Sequence, residues 1–291
     1  MSEIHSYRIG DMEITRITEQ VISTLTTDRL FPDSDAESFA RHKDWMVPEL
    51  LSEDGRHALL SIHSWLIRTP HHLMLVDTAT GNGKERPFSA LFHQLNTPWY
   101  ERFLATGVTP EDIDYVLLTH LHADHVGWNT VLDDGRWKPT FPNARYVFAK
   151  REGDFYTTPA SESRRMVFAD SVKPVLDAGL ADLIEDEGGE YLPGIHFLPT
   201  PGHSVGHMAI ALESKGETAL FIGDVMHHPV QVYHPEWNSV FCGNSSQSRQ
   251  SRQWLLNYAV NREATLFPAH FAGRSAGKVV AEQEQYLWQP Q

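Results

Sequence analysis

The chain has 291 residues, enough for one large domain or two small ones and for a core that needs no disulfide or metal staple. Hydrophobic residues make up 41% and charged residues 21%, and the mean hydropathy is -0.36. A disordered or collagen-like chain is thereby excluded, and no apolar run reaches the ~18–20 residues of a membrane span. The formal net charge of -14 argues against nucleic acid or an anionic membrane as partner. The single cysteine, Cys242, rules out an internal disulfide and any multi-cysteine zinc site, while 17 histidines raise the question of where they stand.

From the N-terminus, Met1 to Tyr7 shows neither a basic nor an apolar leader region, so a cytoplasmic protein is expected. Met12-Glu13-Ile14-Thr15-Arg16-Ile17 alternates as a strand does. Residues 28–56 are polar and weakly periodic, and read as an irregular loop with a helical turn or two, a lid or binding insertion in one domain spanning 1–291. Leu59 to Ile67 and Leu73 to Asp77 read as strands. Ser89 to Leu95 and Trp99 to Thr106 read as helices, the second closed by Gly107, and Thr109-Pro110-Glu111-Asp112 opens a further turn. Short apolar strands are expected at Asp114–Thr119, Arg145–Ala149, Ile195–Leu198, His207–Leu212, Thr218–Ile222 and Thr265–Phe267, with a helix over Gln247–Val260. This alternation lacks strict βαβ regularity, which favours a layered α/β protein with mixed sheets.

The strand at Asp114–Thr119 runs into Thr119-His120-Leu121-His122-Ala123-Asp124-His125-Val126-Gly127-Trp128. On extended chain, residues two apart point the same way, so His120 and His122 can grip one metal ion. If the chain then turns, Asp124 and His125 are offered to a second position nearby. Three histidines and an aspartate in this order have few bland roles to fill.

His-x-His-x-Asp-His after an apolar strand resembles the signature of the metallo-β-lactamase superfamily. Three more motifs follow in the family's order: His203 in Pro201-Gly202-His203-Ser204-Val205-Gly206-His207, Asp224 after Phe221-Ile222-Gly223, and His270 after Leu266-Phe267-Pro268-Ala269. Asp77 matches a structural aspartate of the same family. The resemblance implies an αββα sandwich of two mixed β-sheets flanked by helices. It implies a first metal on His120, His122 and His203, a second on Asp124, His125 and His270, and Asp224 bridging them. Such nitrogen and oxygen donors suit zinc and tolerate manganese, iron or cobalt. No cysteine stands in any motif, and only 21 residues follow His270, too few for a glyoxalase II-type helical domain. The chain is therefore most similar to the lactonase and methyl parathion hydrolase group.

The implied activity is hydrolysis of a small ester or lactone by a metal-bridging hydroxide, with Asp124 passing a proton to the leaving alkoxide. A phosphotriesterase is the alternative. Lactonases of the group often carry a tyrosine three residues after the bridging aspartate; here that position is His227, expected to donate a hydrogen bond to the substrate. Trp128, His228 and Phe271, beside the motifs, are expected to line the pocket. The partner expected is a small molecule, with no nucleic acid or membrane, and a homodimer is left open.

Two other motifs compete. Gly202-His203-Ser204-Val205-Gly206 matches the G-x-S-x-G nucleophile elbow, and a serine esterase could be completed by Ser204, Asp224 and His270. That elbow requires a helix after the serine, whereas the next residues alternate as a strand. Gly81-Asn82-Gly83-Lys84-Glu85-Arg86 lacks the features of a phosphate loop and reads as a plain turn.

Overall fold

In the computed structural model the chain is described over residues 5–283 and 285–291; the first four residues of the segment read for a leader lie outside them. The elements run β1 (Ser6–Ile9), β2 (Met12–Thr26), α1 (Thr27–Leu30), α2 (Ala36–Met46), β3 (His57–Arg68), β4 (Leu73–Val76), α3 (Trp99–Leu104) and β5 (Tyr115–Leu117). There follow β6 (Thr130–Asp133), β7 (Arg136–Pro139), β8 (Arg145–Ala149), α4 (Lys150–Phe155), α5 (Arg165–Ser171), α6 (Lys173–Asp177), β9 (Ala181–Ile184) and β10 (Gly189–Leu192). The last are β11 (Ile195–Pro199), β12 (Met208–Ser214), β13 (Glu217–Gly223), α7 (Val230–Tyr233), α8 (Ser245–Asn261), β14 (Thr265–Pro268), β15 (Gly277–Glu282) and β16 (Gln285–Pro290).

Two seven-stranded sheets result, in the orders β1-β2-β3-β4-β5-β8-β9 and β10-β11-β12-β13-β14-β15-β16, with β6 and β7 as a separate hairpin. Both large sheets are mixed. In the first, β3 and β4 are antiparallel while β4, β5, β8 and β9 run parallel. In the second, β13 and β14 are a parallel pair among antiparallel neighbours. The expected α/β class with two mixed sheets and helices therefore holds. Contacts divide the chain into two compact units, Met1–Gln20 with Ile62–Tyr191, and Val21–Ser61 with Leu192–Gln291.

Three local expectations are revised. The segment 28–56 is more regular than foreseen: α2 is an 11-residue helix, started by the Asp35 carboxylate accepting the Ser38 N–H at 2.6 Å. Its Phe39 stacks on Trp237 at 5.6 Å. Ser89 to Leu95 is a run of turns, not a helix. The amide of Gln94 donates to the Lys84 carbonyl, and Gln94 takes a positive φ of 48°, which ends any helical path.

The third revision concerns Gly81–Arg86, which turns but is no plain turn. Lys84 and Arg86 are both fully buried. Arg86 holds the Asp170 carboxylate through two bonds of 2.7 and 2.8 Å. Lys84 Nζ donates to Thr130 Oγ1 at 2.5 Å and lies 3.5 Å from the Trp137 ring centroid. Asp170 thus faces two cations, and burial pushes the Lys84 ammonium down to about 7.

Backbone hydrogen bonds lock the loop after β5 to the loop after β4. Thr78 N–H donates to the His125 carbonyl at 2.7 Å, Gly127 N–H to Ala79 O at 2.7 Å, and Trp128 N–H to Thr78 O at 2.9 Å. A Cβ on Gly127 would lie 1.8 Å from Thr80 O, so only glycine allows this approach. Glu19 completes the junction, accepting from the Thr80 and Gly81 amides and from Trp128 Nε1 at 2.8, 3.1 and 2.8 Å. Burial raises the Glu19 carboxyl against the opposing pull of these donors.

Two predictions follow from these contacts. Gly127→Ala should lower stability by more than about 4 kcal/mol or prevent folding, whereas Gly107→Ala, with φ of 78° but nothing within 4 Å of its Cβ, should cost only about 1–2 kcal/mol. Urea unfolding of both variants measures the difference, and equal losses would refute the close-approach argument. Lys84 loses its proton more readily when folded, so stability should rise as pH increases from about 7 towards the ordinary lysine value near ~10.4. Lys84→Met should flatten that rise while leaving the Arg86–Asp170 pair intact; an unchanged slope would exclude Lys84 as its source.

Candidate metal centre

Each unit builds a cluster of metal-ligating side chains at the carboxyl ends of two adjacent parallel strands. In the first unit the strands are β4 and β5, and Asp77 N–H, just past β4, donates to the Leu117 carbonyl at the end of β5. Beyond β5 the chain bends at Thr119, runs without regular structure through His120 and His122, then turns at 123–125, where His125 N–H reaches back to the His122 carbonyl at 3.1 Å. The turn expected after His122 is present. The His120 ring centroid lies 4.5 Å from that of His122 and 4.1 Å from that of His125. His120 and His125 are buried, while His122 and Asp124 are partly exposed.

Asp77 orders this cluster. Its φ of 54° turns the carboxylate towards Thr119, whose amide and hydroxyl donate to it at 2.9 and 2.8 Å. His125 Nδ1 lies 2.8 Å from the same carboxylate. A carboxylate only accepts, so Nδ1 carries the proton and Nε2 keeps its lone pair. His120 is set likewise: the Thr119 hydroxyl gives its proton to Asp77, so its lone pair accepts from His120 Nδ1 at 3.1 Å. The loop is also pinned from α4, where Glu152 accepts the Leu121 N–H and the Tyr156 hydroxyl, just past the helix, donates to the Leu121 carbonyl.

In the second unit the parallel strands are β13 and β14, ending with Gly223 opposite Pro268. Asp224 follows β13 directly, and His270 follows β14 after Ala269. Asp224 is 3% exposed, and His203 Nε2, His227 Nε2 and His270 Nε2 lie 3.1, 3.2 and 3.1 Å from its carboxylate oxygens. His270 Nδ1 lies 3.0 Å from the Ser61 carbonyl, which can only accept, so its Nε2 lone pair faces the carboxylate. Two acceptors at that separation repel unless a cation, either a proton or a metal ion, lies between them. The donor set, all imidazole and carboxylate, fits a divalent ion of the zinc type.

The backbone around Asp224 is held by groups outside the motifs' ligands. His207, fully buried, accepts the Asp224 N–H on Nε2 at 3.0 Å and bonds Thr200 Oγ1 through Nδ1 at 2.8 Å. Arg252, from α8, donates to the Val225, Pro235 and Trp237 carbonyls, and burial pushes it down to about 10. Gly202 presses on the start of α8, since its Cβ would lie 2.2 Å from Ser248 N. Sequence inspection singled out neither His207 nor Arg252 for these roles; the second histidine of Pro201–His207 was the available signal.

The residues expected to line the pocket take packing positions. Trp128 is 5% exposed, stacked on Trp99 at 5.0 Å, with its N–H given to Glu19. Phe271 packs against Trp288 at 5.3 Å. His228 Nε2 donates to the Leu50 carbonyl at 3.0 Å while Nδ1 accepts the Val230 N–H at 3.2 Å. Both nitrogens are engaged, and burial drives this imidazole down to about 4. The serine elbow is absent: Ser204 leads into strand β12, and its hydroxyl has no hydrogen-bond partner among the described residues.

Comparison with known proteins agrees with this construction. Residues 58–270 match the metallo-beta-lactamase superfamily. An N-acyl homoserine lactonase of Bacillus cereus is 29% identical over 111 residues, 38% of this chain and 36% of that protein. N-acyl homoserine lactonase AttM of Rhizobium radiobacter is 25% identical over 173 residues, 58% of this chain and 62% of that protein. The chain therefore spans from about a third to under two thirds of the length of these relatives. Among solved structures, the hydrolase AbOPH superposes with a TM-score of 0.82 at 23% identity, over 100% of this chain and 98% of its own. The dizinc quorum-quenching lactonase AidC superposes with a TM-score of 0.78 at 21% identity, over 99% and 97%. With both strand-end clusters inside the matched residues, the chain belongs to the metallo-beta-lactamase superfamily.

Proposed function

We propose that this chain is a dinuclear metal-dependent hydrolase of small esters or lactones. The observation that carries the reading is the buried Asp224 carboxylate with three imidazole nitrogens within 3.2 Å, an arrangement that suits a bound divalent cation. In this reading His120, His122 and His203 would hold one ion and Asp124, His125 and His270 the other, with Asp224 shared, the set that the family resemblance implies. Zinc is the proposed metal, supported by the donor set and by the dizinc lactonase among the structural neighbours. Bound divalent ions supply Lewis acidity and lower the pKa of water to near neutrality.

The protein's own residues do the rest. Asp77 and Ser61 fix the tautomers of His125 and His270, so their Nε2 lone pairs are available without reorganisation. His207 holds the Asp224 amide and with it the carboxylate. Asp124, partly exposed on the turn, accepts a proton on its carboxylate and returns it to the leaving alkoxide as the ester bond breaks. A neutral lactone or ester suits a chain of net charge -14, and the curated relatives named as N-acyl homoserine lactonases support the lactone.

Elemental analysis of purified protein should give two metal ions per chain. Prolonged chelation should abolish hydrolysis of a lactone panel, zinc, manganese or cobalt should restore it, and Ser204→Ala should keep most activity. A stoichiometry of one that survives metal supplementation would sink the dinuclear reading; a chelation-resistant enzyme killed by Ser204→Ala would replace it with a serine esterase. Asp77→Asn tests the positioning argument. An amide can no longer enforce the His125 tautomer, so metal affinity should fall ~10–100-fold with the fold retained by circular dichroism. Wild-type affinity in that variant would show that Asp77 serves only the backbone.

A further inference from the structure

One imidazole beyond the family's set reaches the same carboxylate. His227 follows Asp224 by three residues and is 1% exposed. Its Nε2 lies 3.2 Å from Asp224 Oδ2. Its ring lies 5.0 Å from that of His203 and 5.6 Å from that of His270, nearly parallel to the latter at 6°. His203, Asp224 and His227 each offer one ligand atom, and these atoms all lie within 4.8 Å of one another. Bonds of ~2.0–2.1 Å in a tetrahedral site put neighbouring ligand atoms roughly 3.3 Å apart. The 3.1 and 3.2 Å separations from Asp224 Oδ2 match that spacing.

The backbone there is also held. The main-chain N–H of His227 donates to Gln231 Oε1 at 2.7 Å, and Gln231 Nε2 donates to the Trp237 carbonyl at 2.9 Å. Phe241 lies over the ring at 5.6 Å. A buried imidazole beside the Asp224 carboxylate is poorly disposed to meet substrate, the role expected from its sequence position.

We infer that His227 is a metal ligand, forming with His203 and Asp224 a His–Asp–His site for a divalent cation carried wholly by the second unit. The inference shares His203 and Asp224 with the proposed dinuclear centre but needs no residue of the first unit. It adds a donor to the ion that those two residues hold, and an ion with more than four ligands suits manganese, iron or cobalt as well as zinc.

The test is titration of metal-free protein with Zn(II) and Co(II), using a chromophoric chelator as competitor, for wild type, His227→Gln and His227→Phe. Loss even of a group behind a ligand costs ~10–100-fold, so both variants should bind one ion at least ~10-fold more weakly, with altered Co(II) visible bands. Wild-type affinities and spectra in both would overturn the inference and leave the dinuclear reading standing. A wild-type protein that binds no ion would overturn both. If the variants fail to fold, as judged by circular dichroism, ring ¹⁵N signals of the wild-type protein decide. Zinc should then shift ring ¹⁵N resonances of six histidines; only five, the number in the family's set, would overturn the inference.

Discussion

The structure depends on a buried anion that cannot remain uncompensated. Asp224 sits at the end of a core strand with its carboxylate almost out of water, where an unpaired charge costs several kcal/mol. Around it stand imidazoles, at least one of which, His270, has its proton committed elsewhere. The chain fixes this arrangement from behind, through His207 on the Asp224 amide and Arg252 on the carbonyls that follow. Groups held in place by such outer contacts are what a metal centre uses to bind its ion with little reorganisation.

The first unit solves the same problem by the same device. Two neighbouring parallel strands end together, the residue after one is an aspartate, and the loop after the other carries the histidines. Asp77 differs from Asp224 in that its oxygens are taken by Thr119 and His125, so it organises ligands instead of acting as one. Placement at the carboxyl ends of parallel strands follows from the strand itself, whose last side chains and following loop project past the sheet edge, free of ladder bonds.

Buried charge elsewhere serves the same loops. Glu19 ties β2 to the turn after β4 and to Trp128, and Arg86 and Lys84 meet on Asp170. Each is satisfied by several partners, and each would be costly with one partner removed. They confer no ligand, but they fix the path of the segment that supplies four of the candidate ligands.

The sequence by itself determined the strands that lead into the site and the order of its ligands. Apolar runs leading to His120, Asp224 and His270 are local patterns, and the turn at 123–125 follows from the local sequence of His-x-His-x-Asp-His. It also determined the helix at Gln247–Val260 and the α/β class. What needed the tertiary structure was every role set by a distant partner. Ser89–Leu95 has helical composition, yet its ends are closed by bonds to Lys84 and Arg86. Lys84 and Arg86 look like surface charges until Asp170, some eighty residues away, removes them from water. Trp128 and His228 lie beside metal motifs but are claimed by Glu19 and by the Leu50 carbonyl. His227 occupies a position the sequence assigns to substrate, and only the tertiary structure brings its ring beside Asp224, His203 and His270. Propensity and spacing are properties of neighbours along the chain, whereas burial, tautomer and ligation depend on groups brought together from far apart in it.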